Sequence, residues 1–382
     1  MAGKSRIVSK IFAALWISGA IFAAHAQDSH AQDSHTQDSH TQDSHTQDSR
    51  AQDSRQQFAD LGQCRLESGQ DIGDCRVGYR TFGKLNAAGD NAVLVPTWLY
   101  GKSAELASLF GDGTDPKLGP GQIIDTRRWF GVAIDAFANG VSSSPSNSPG
   151  QHGTAFPVLT LNDSVRAQYR VLTETLHLKH LHAVVGLSMG GEQSFVWSVL
   201  YPKFFDLAVP ILGSPRPTSY DLHVKAIQLA SIESDPDYKH GDYTTEPVLA
   251  LANSIGALVV TSPEWRNHET PRDQFPAFLK QVGAPQPIDA NDRVWQLKAI
   301  MKQNVVGDGS IAEAAHSTPV HFLVIVSGQD RLVNPQPALD WAAAIGAPTY
   351  VSPGACAHLI MTCDAAAVSS RVKAFLAGEP LP

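Results

Sequence analysis

Three side chains have the types and the chain order needed for nucleophilic attack on an acyl carbon: Ser188, Asp330 and His358. A serine hydroxyl is a weak nucleophile, so it needs a base to take its proton and an acid to hold that base in the right tautomer. Ser188 stands in Gly186-Leu187-Ser188-Met189-Gly190, after the apolar run 183–185 and before a segment of helical character over 192–201. At a strand-to-helix junction a Gly-x-Ser-x-Gly forms a nucleophile elbow: the glycines relieve crowding at a sharp turn and the serine projects from the top of a sheet. Asp330 closes the apolar run that begins at His321, which places it on the loop at a strand's C-terminal end. His358 follows a predicted last strand over 349–352 and is the only histidine after Asp330. The order Ser, Asp, His is the one associated with this elbow. The nine other histidines beyond residue 56 all precede Asp330 and suit solvated surfaces.

Acyl transfer through a serine also needs two backbone N–H groups aimed at the developing oxyanion. Met189, directly after the nucleophile, supplies one by the geometry of the elbow. The second is expected from the loop Thr97-Trp98-Leu99-Tyr100-Gly101, with Leu99 preferred; spacing alone does not decide between Leu99 and Trp98. Trp98 and Tyr100 are candidate substrate contacts, and core packing is an equal claim on both rings.

These groups must be carried by a sheet. Strand signals recur over 77–82, 92–96, 129–134, 183–185, 207–212, 322–327 and 349–352, with helical segments between them, the pattern of a doubly wound, mostly parallel sheet. Between 216 and 316 that rhythm stops. Helical patches such as 220–231 and 294–302 alternate there with polar, proline-containing loops, which reads as a helical cap inserted over the strand ends. The domain expectation is a core over 57–215, a cap over 216–316 and a second core part over 317–382.

The N-terminus has the form of a signal peptide over 1–26: Lys4, Arg6 and Lys10 precede an apolar stretch from Ile11 to Ala24 and a small-x-small site at Ala24-His25-Ala26. The expectation is a periplasmic or secreted protein without stable membrane insertion after cleavage. Six pentapeptide repeats follow from Gln27, each Gln-Asp-Ser-His or Gln-Asp-Ser-Arg plus one residue. With almost no apolar surface they read as a disordered tether over 27–56. Their histidines allow loose metal binding, but no apolar shell fixes ligand geometry, so a spacer is the preferred reading.

The 382 residues are 43% hydrophobic, enough to bury one large core, and carry a formal net charge of −8. No basic stripe follows any predicted helix, which excludes a nucleic-acid footprint. The four cysteines, Cys64, Cys75, Cys356 and Cys363, fall in two near pairs and suggest two local bridges, other pairings remaining open. Neither pair has metal-knuckle spacing, and no metal or cofactor is expected. The expected partner is a small-molecule ester, and the chain a monomer or homodimer.

Several segments together resemble the homoserine O-acetyltransferase-like branch of the α/β-hydrolase superfamily. They are residues 91–95, the glycine- and serine-rich 139–149, Phe156 to Gln168 with its Asp163-Ser-Val-Arg-Ala-Gln, the elbow, and residues 235–243 beginning Asp-Pro-Asp-Tyr. The resemblance covers most of the folded chain and implies the α/β-hydrolase fold, with Ser188, Asp330 and His358 as the triad of an acyl-enzyme mechanism. It also exposes departures. Where the family's acyltransferases carry an aspartate after the catalytic histidine, implied to hold the acceptor's ammonium, this chain has Leu359. Their His-Ala-Leu-Thr-Gly loop is replaced by the bulkier residues 97–101. Arg216 falls where the resemblance implies an arginine on a substrate carboxylate, and an equal reading is a cap-loop arginine paired with an acid. The expectation is therefore an exported serine hydrolase of carboxylic esters. The alternatives are an O-acyltransferase with a different alcohol acceptor, or a non-catalytic binding protein on the same scaffold.

Overall fold

The apolar runs assemble into one nine-stranded sheet in the computed structural model, which describes residues 54–113 and 121–382. The expected signal peptide and residues 27–53 of the expected tether lie outside the described residues. The strands are β1 (Gln57–Asp60), β2 (Arg76–Phe82), β3 (Ala92–Pro96), β4 (Phe130–Ile134), β5 (Leu181–Leu187), β6 (Phe205–Ile211), β7 (Val324–Ser327) and β8 (Thr349–Ser352). In space they run β1-β2-β4-β3-β5-β6-β7-β8, with the short strand His321–Phe322 also on β6. β1 pairs antiparallel with β2, and β2 with β4. Every pairing from β4 to β8 is parallel.

This order places a topological switch between β3 and β5: after β3 the chain crosses to β4 on one side, and after β4 it returns to β5 on the other. Open α/β sheets form their sites outside the strand C-termini at such a point. β3 is buried along its whole length and β5 nearly so, which is why both read as continuous apolar runs without alternation. The helices α1 (Leu161–Arg170) and α2 (Met189–Leu200) flank β5 in sequence. α1 starts sharply because Thr160 and Asp163 form a reciprocal capping box.

From 212 to 320 the described chain contains helices and no strand. The cap comprises α3 (Ser219–Glu233), α4 (Ala250–Val259), Pro263–Glu269, Phe275–Val282, α5 (Ala290–Met301) and Ile311–His316. Buried polar contacts fasten it to the core. Asp292 accepts from Ser146 Oγ at 2.6 Å, and Gln303 Nε2 donates to the carbonyls of Ser214 and Pro215.

Cys64–Arg65 and Asp71–Ile72 form a small antiparallel hairpin, and the disulfide Cys64–Cys75 ties its first strand to the residue just before β2. The second disulfide is Cys356–Cys363, and no cysteine is left free among the described residues. One boundary moves. Gln56, placed by its polar sequence at the end of the tether, is part of the fold: its amide donates to the Tyr79 carbonyl and to Asp135 Oδ2. Composition misses this because the segment joins by hydrogen bonding to a sheet edge and not by apolar burial.

Candidate active site

The turn after β5 is as tight as the motif requires. Ser188 has φ 58° and ψ −122°, a backbone state that costs a non-glycine residue energy and persists only where the surroundings over-determine it. A Cβ on Gly186 would lie 1.9 Å from the Gly190 carbonyl oxygen, and one on Gly190 would lie 2.6 Å from that of Pro96. The two glycines therefore let the elbow close on itself and let it press against the end of β3.

At this turn the side chains of Ser188, His358 and Asp330 meet. His358 Nε2 lies 2.8 Å from Ser188 Oγ, and His358 Nδ1 lies 2.7 Å from Asp330 Oδ2. The side chains of His358 and Asp330 are 4% and 1% exposed, so their hydrogen bond is shielded from water. The other carboxylate oxygen, Asp330 Oδ1, accepts from the backbone N–H groups of Leu332 and Val333. With the carboxylate on Nδ1, the neutral imidazole carries its proton there and turns a bare Nε2 to the serine hydroxyl, the tautomer a general base needs.

The loop after β3 lies beside the elbow. In it the N–H groups of Thr97, Tyr100 and Gly101 are all engaged, with Ile134 O, Gln296 Oε1 and Trp98 O respectively. Those of Trp98, Leu99 and Met189 have no intramolecular acceptor among the described residues, which keeps Met189 and Leu99 as donors for an oxyanion and leaves Trp98 open as well. Trp98 and Tyr100 are buried. The Trp98 indole packs against Gly101, where a Cβ would come within 2.4 Å of its Nε1. Tyr100 adopts φ 64°, and its ring faces the Arg293 guanidinium of α5 at 5.4 Å. Burial pushes the Tyr100 phenol up to about 12. Leu359 is half-buried directly after the histidine. The Arg216 side chain is exposed and makes no hydrogen bond or ion pair among the described residues; only its backbone is engaged, with Ser214 Oγ.

A chain of buried amides, absent from the sequence reading, holds the loop after β3. Trp197 Nε1 donates to Gln168 Oε1, Gln168 Nε2 to Gln193 Oε1, and Gln193 Nε2 to the carbonyls of Thr97 and Met189. One glutamine thus ties together the two segments that carry Met189 and Leu99. Beside it on α2, Glu192 is buried with Oε2 unpartnered, and desolvation pushes its carboxyl up to about 8. The available signal was polar residues at 192–193 in a segment otherwise apolar enough to be core. Among the described residues no group of three potential ligands is placed to hold a metal ion, and no helix is long and apolar enough to cross a membrane.

Residues 122–362 match the family model for the alpha/beta hydrolase fold. This chain belongs to the α/β-hydrolase family. Within it, the chain falls in the homoserine O-acetyltransferase-like branch. It is 35% identical over 311 residues to a homoserine O-acetyltransferase of Moorella thermoacetica, covering 73% of this chain and 83% of that enzyme. It is also 31% identical over 210 residues to an ethyl acetate hydrolase of Pseudomonas veronii, covering 55% of this chain and 58% of that one. Among solved structures, an acetylester hydrolase from Corynebacterium glutamicum superimposes with a TM-score of 0.76 at 25% identity, over 85% of this chain and 96% of the other. The chain is therefore an enzyme of a family that includes both acyl-transferring and ester-cleaving relatives.

Proposed function

We propose that this enzyme hydrolyses carboxylic esters through an acyl-enzyme on Ser188. The observation that carries the reading is the continuous hydrogen-bonded line Ser188–His358–Asp330, at 2.8 and 2.7 Å, beside N–H groups with no acceptor among the described residues. Ser188 Oγ attacks the ester carbonyl as its proton passes to His358 Nε2, and Met189 and Leu99 donate to the oxyanion. Collapse expels the alcohol, which takes the proton from His358. A water molecule, deprotonated by the same nitrogen, then releases the acid and restores the serine. Leu359 supports water as acceptor, because a leucine cannot pair with the ammonium of an amino-alcohol.

A second reading, O-acyl transfer to an alcohol, is favoured by the 35% identity to the Moorella acyltransferase. The two share the acyl-enzyme and differ in what resolves it. Transfer must outcompete water at ~55 M, so the acceptor needs several oriented contacts. Loss of one charge-assisted contact weakens it by about 1.5–3 kcal/mol, or one to two orders of magnitude. The test measures acid release and acyl transfer side by side, with short-chain p-nitrophenyl esters and acetyl-CoA as donors and homoserine among a panel of alcohols. Acid release dominating throughout is the expected result; O-acetylhomoserine as the main product would overturn the hydrolase reading. Export is part of the proposal, supported by the charged and apolar pattern of residues 1–26. N-terminal sequencing of the natural protein should begin at Gln27, and a mature protein that retains Met1 would refute it.

A further inference from the structure

Asp330 sits on a loop, and a loop carboxylate stays on an imidazole only if the loop is tied to something rigid. The tie comes from the cap. Lys225 Nζ, on α3, donates to the Leu332 carbonyl at 3.1 Å, and the Asn334 N–H donates to Asp221 Oδ1, also on α3, at 2.9 Å. The same aspartate fixes the start of that helix, since its Oδ2 accepts from the Thr218 N–H and hydroxyl. Both α3 residues are 3% exposed. A buried ammonium is costly, and one carbonyl does not offset that cost. The acidic groups whose fields reach Lys225 are Glu192 from α2, Asp221 from its own helix and Asp330 from the loop after β7.

We propose that Lys225, together with Asp221, is a positioning residue for Asp330: the pair straps residues 330–334 to the cap, and the ammonium acts as a counter-charge to the carboxylate that orients His358. The proposal rests on the triad reading above. The His358 loop shows the same dependence on the helical segment: the His358 N–H donates to the Val260 carbonyl just after α4, and Ser262 Oγ donates to the Ala355 carbonyl. Burial drives Lys225 below the ordinary lysine range and pushes the Glu192 carboxyl up to about 8.

A cation beside Asp330 weakens the carboxylate's hold on an imidazolium and so lowers the proton affinity of His358. Removing it should raise that affinity, and loosening the strap should slow the chemical steps without touching substrate binding. The experiment compares full-length wild type, Lys225→Met and Ser188→Ala on a short p-nitrophenyl ester from pH 5 to 9. Lys225→Met should lose about 10- to 100-fold in kcat with KM within about two-fold, because misplacement and not lost binding is the defect. Its kcat/KM acid limb should move to higher pH by ~0.5 unit or more. If Lys225→Met melts below the assay temperature, Lys225→Gln, which keeps a donor without the charge, carries the same readouts. A folded variant with wild-type kcat and an unmoved acid limb, alongside inactive Ser188→Ala, overturns the strap and leaves the triad standing. Activity surviving in Ser188→Ala overturns both.

Discussion

Loss of the Cys356–Cys363 bridge should separate stability from base positioning. The bridge closes a loop with a sequence separation of 7, and that loop contains His358. Chain entropy alone assigns it about 2.5 kcal/mol. A folded part of about 330 residues unfolds with an entropy near 0.7 kcal/mol/K, so Cys356→Ala/Cys363→Ala should lower Tm by roughly 3–4 °C. The Cys64–Cys75 bridge, with a separation of 11, is worth about 2.8 kcal/mol by the same rule and makes a matched control. The two bridges should differ in catalysis. Ala357, between Cys356 and His358, is held at φ 53°, a left-handed state that costs a non-glycine residue about 1–2 kcal/mol. Once the bridge is gone, Ala357 can relax, and His358 moves with it. A shift of the imidazole on the order of 1 Å costs about 100-fold in rate. Both double variants should therefore melt a few degrees early, but only Cys356→Ala/Cys363→Ala should lose kcat, by about 10- to 100-fold. Calorimetry and steady-state ester hydrolysis decide it. Equal kcat in both variants would refute the claim that the bridge holds the base.

Three further outcomes follow from the site. A fluorophosphonate probe should label Ser188, and Ser188→Ala, Asp330→Asn and His358→Ala should each lower turnover by roughly 10⁴-fold or more and far from additively; undiminished turnover in any of them contradicts the triad. Gln193→Leu removes the donor to Thr97 and Met189 and should cut kcat by about 10- to 100-fold with KM little changed, because an oxyanion donor acts mainly in the transition state; a raised KM with intact kcat would argue for ground-state binding instead. Glu192 ionises near 8 in the fold and near 4.5 when unfolded, so between those values the unfolded state binds fewer protons and stability falls as pH rises, by at most about 1.4 kcal/mol per unit. Urea titrations of Glu192→Gln at several pH values should show a shallower decline than wild type, the remainder belonging to Asp292 and Glu246, both raised to about 7; an unchanged slope would show that Glu192 is ionised throughout.

The parts of this molecule legible in the sequence are those set by local rules. The strands over 92–96 and 349–352 are found at the expected bounds, the first because a short apolar run between turn residues leaves little choice and the second because its Thr-Tyr-Val is rich in residues that favour strands. Ser188 is legible from the glycines that its strained turn demands, and Asp330 and His358 from their places after strands, in an order the elbow already suggests. The expected strand over 322–327 is instead broken into His321–Phe322, paired with β6, and β7, paired along its length with β8 and at Ile325 with β6, since Leu323 gives its N–H to Ala208 where the chain crosses from one pairing to the next. Register across three strands decides such a break, and no single stretch of sequence contains it.

What stays hidden is the polar scaffolding, because its residues act across long sequence separations. Gln168 and Gln193 look like ordinary helix residues, yet they join two segments from different strands. Lys225 reads as one polar position in a helical patch, but α3 buries it against the Asp330 loop, 107 residues further along the chain. A lysine at that place is informative only when its burial is known, because an exposed lysine needs no partner and a buried one must have several. The proposed triad is thus held from two directions. The sheet delivers Ser188 through a turn written into the local sequence, whereas the acid and the base hang on loops whose geometry depends on the cap. A change in the cap should therefore alter the rate of the chemistry without touching any group that meets the substrate, which is why the Lys225 variants are the most discriminating test of how this site is built.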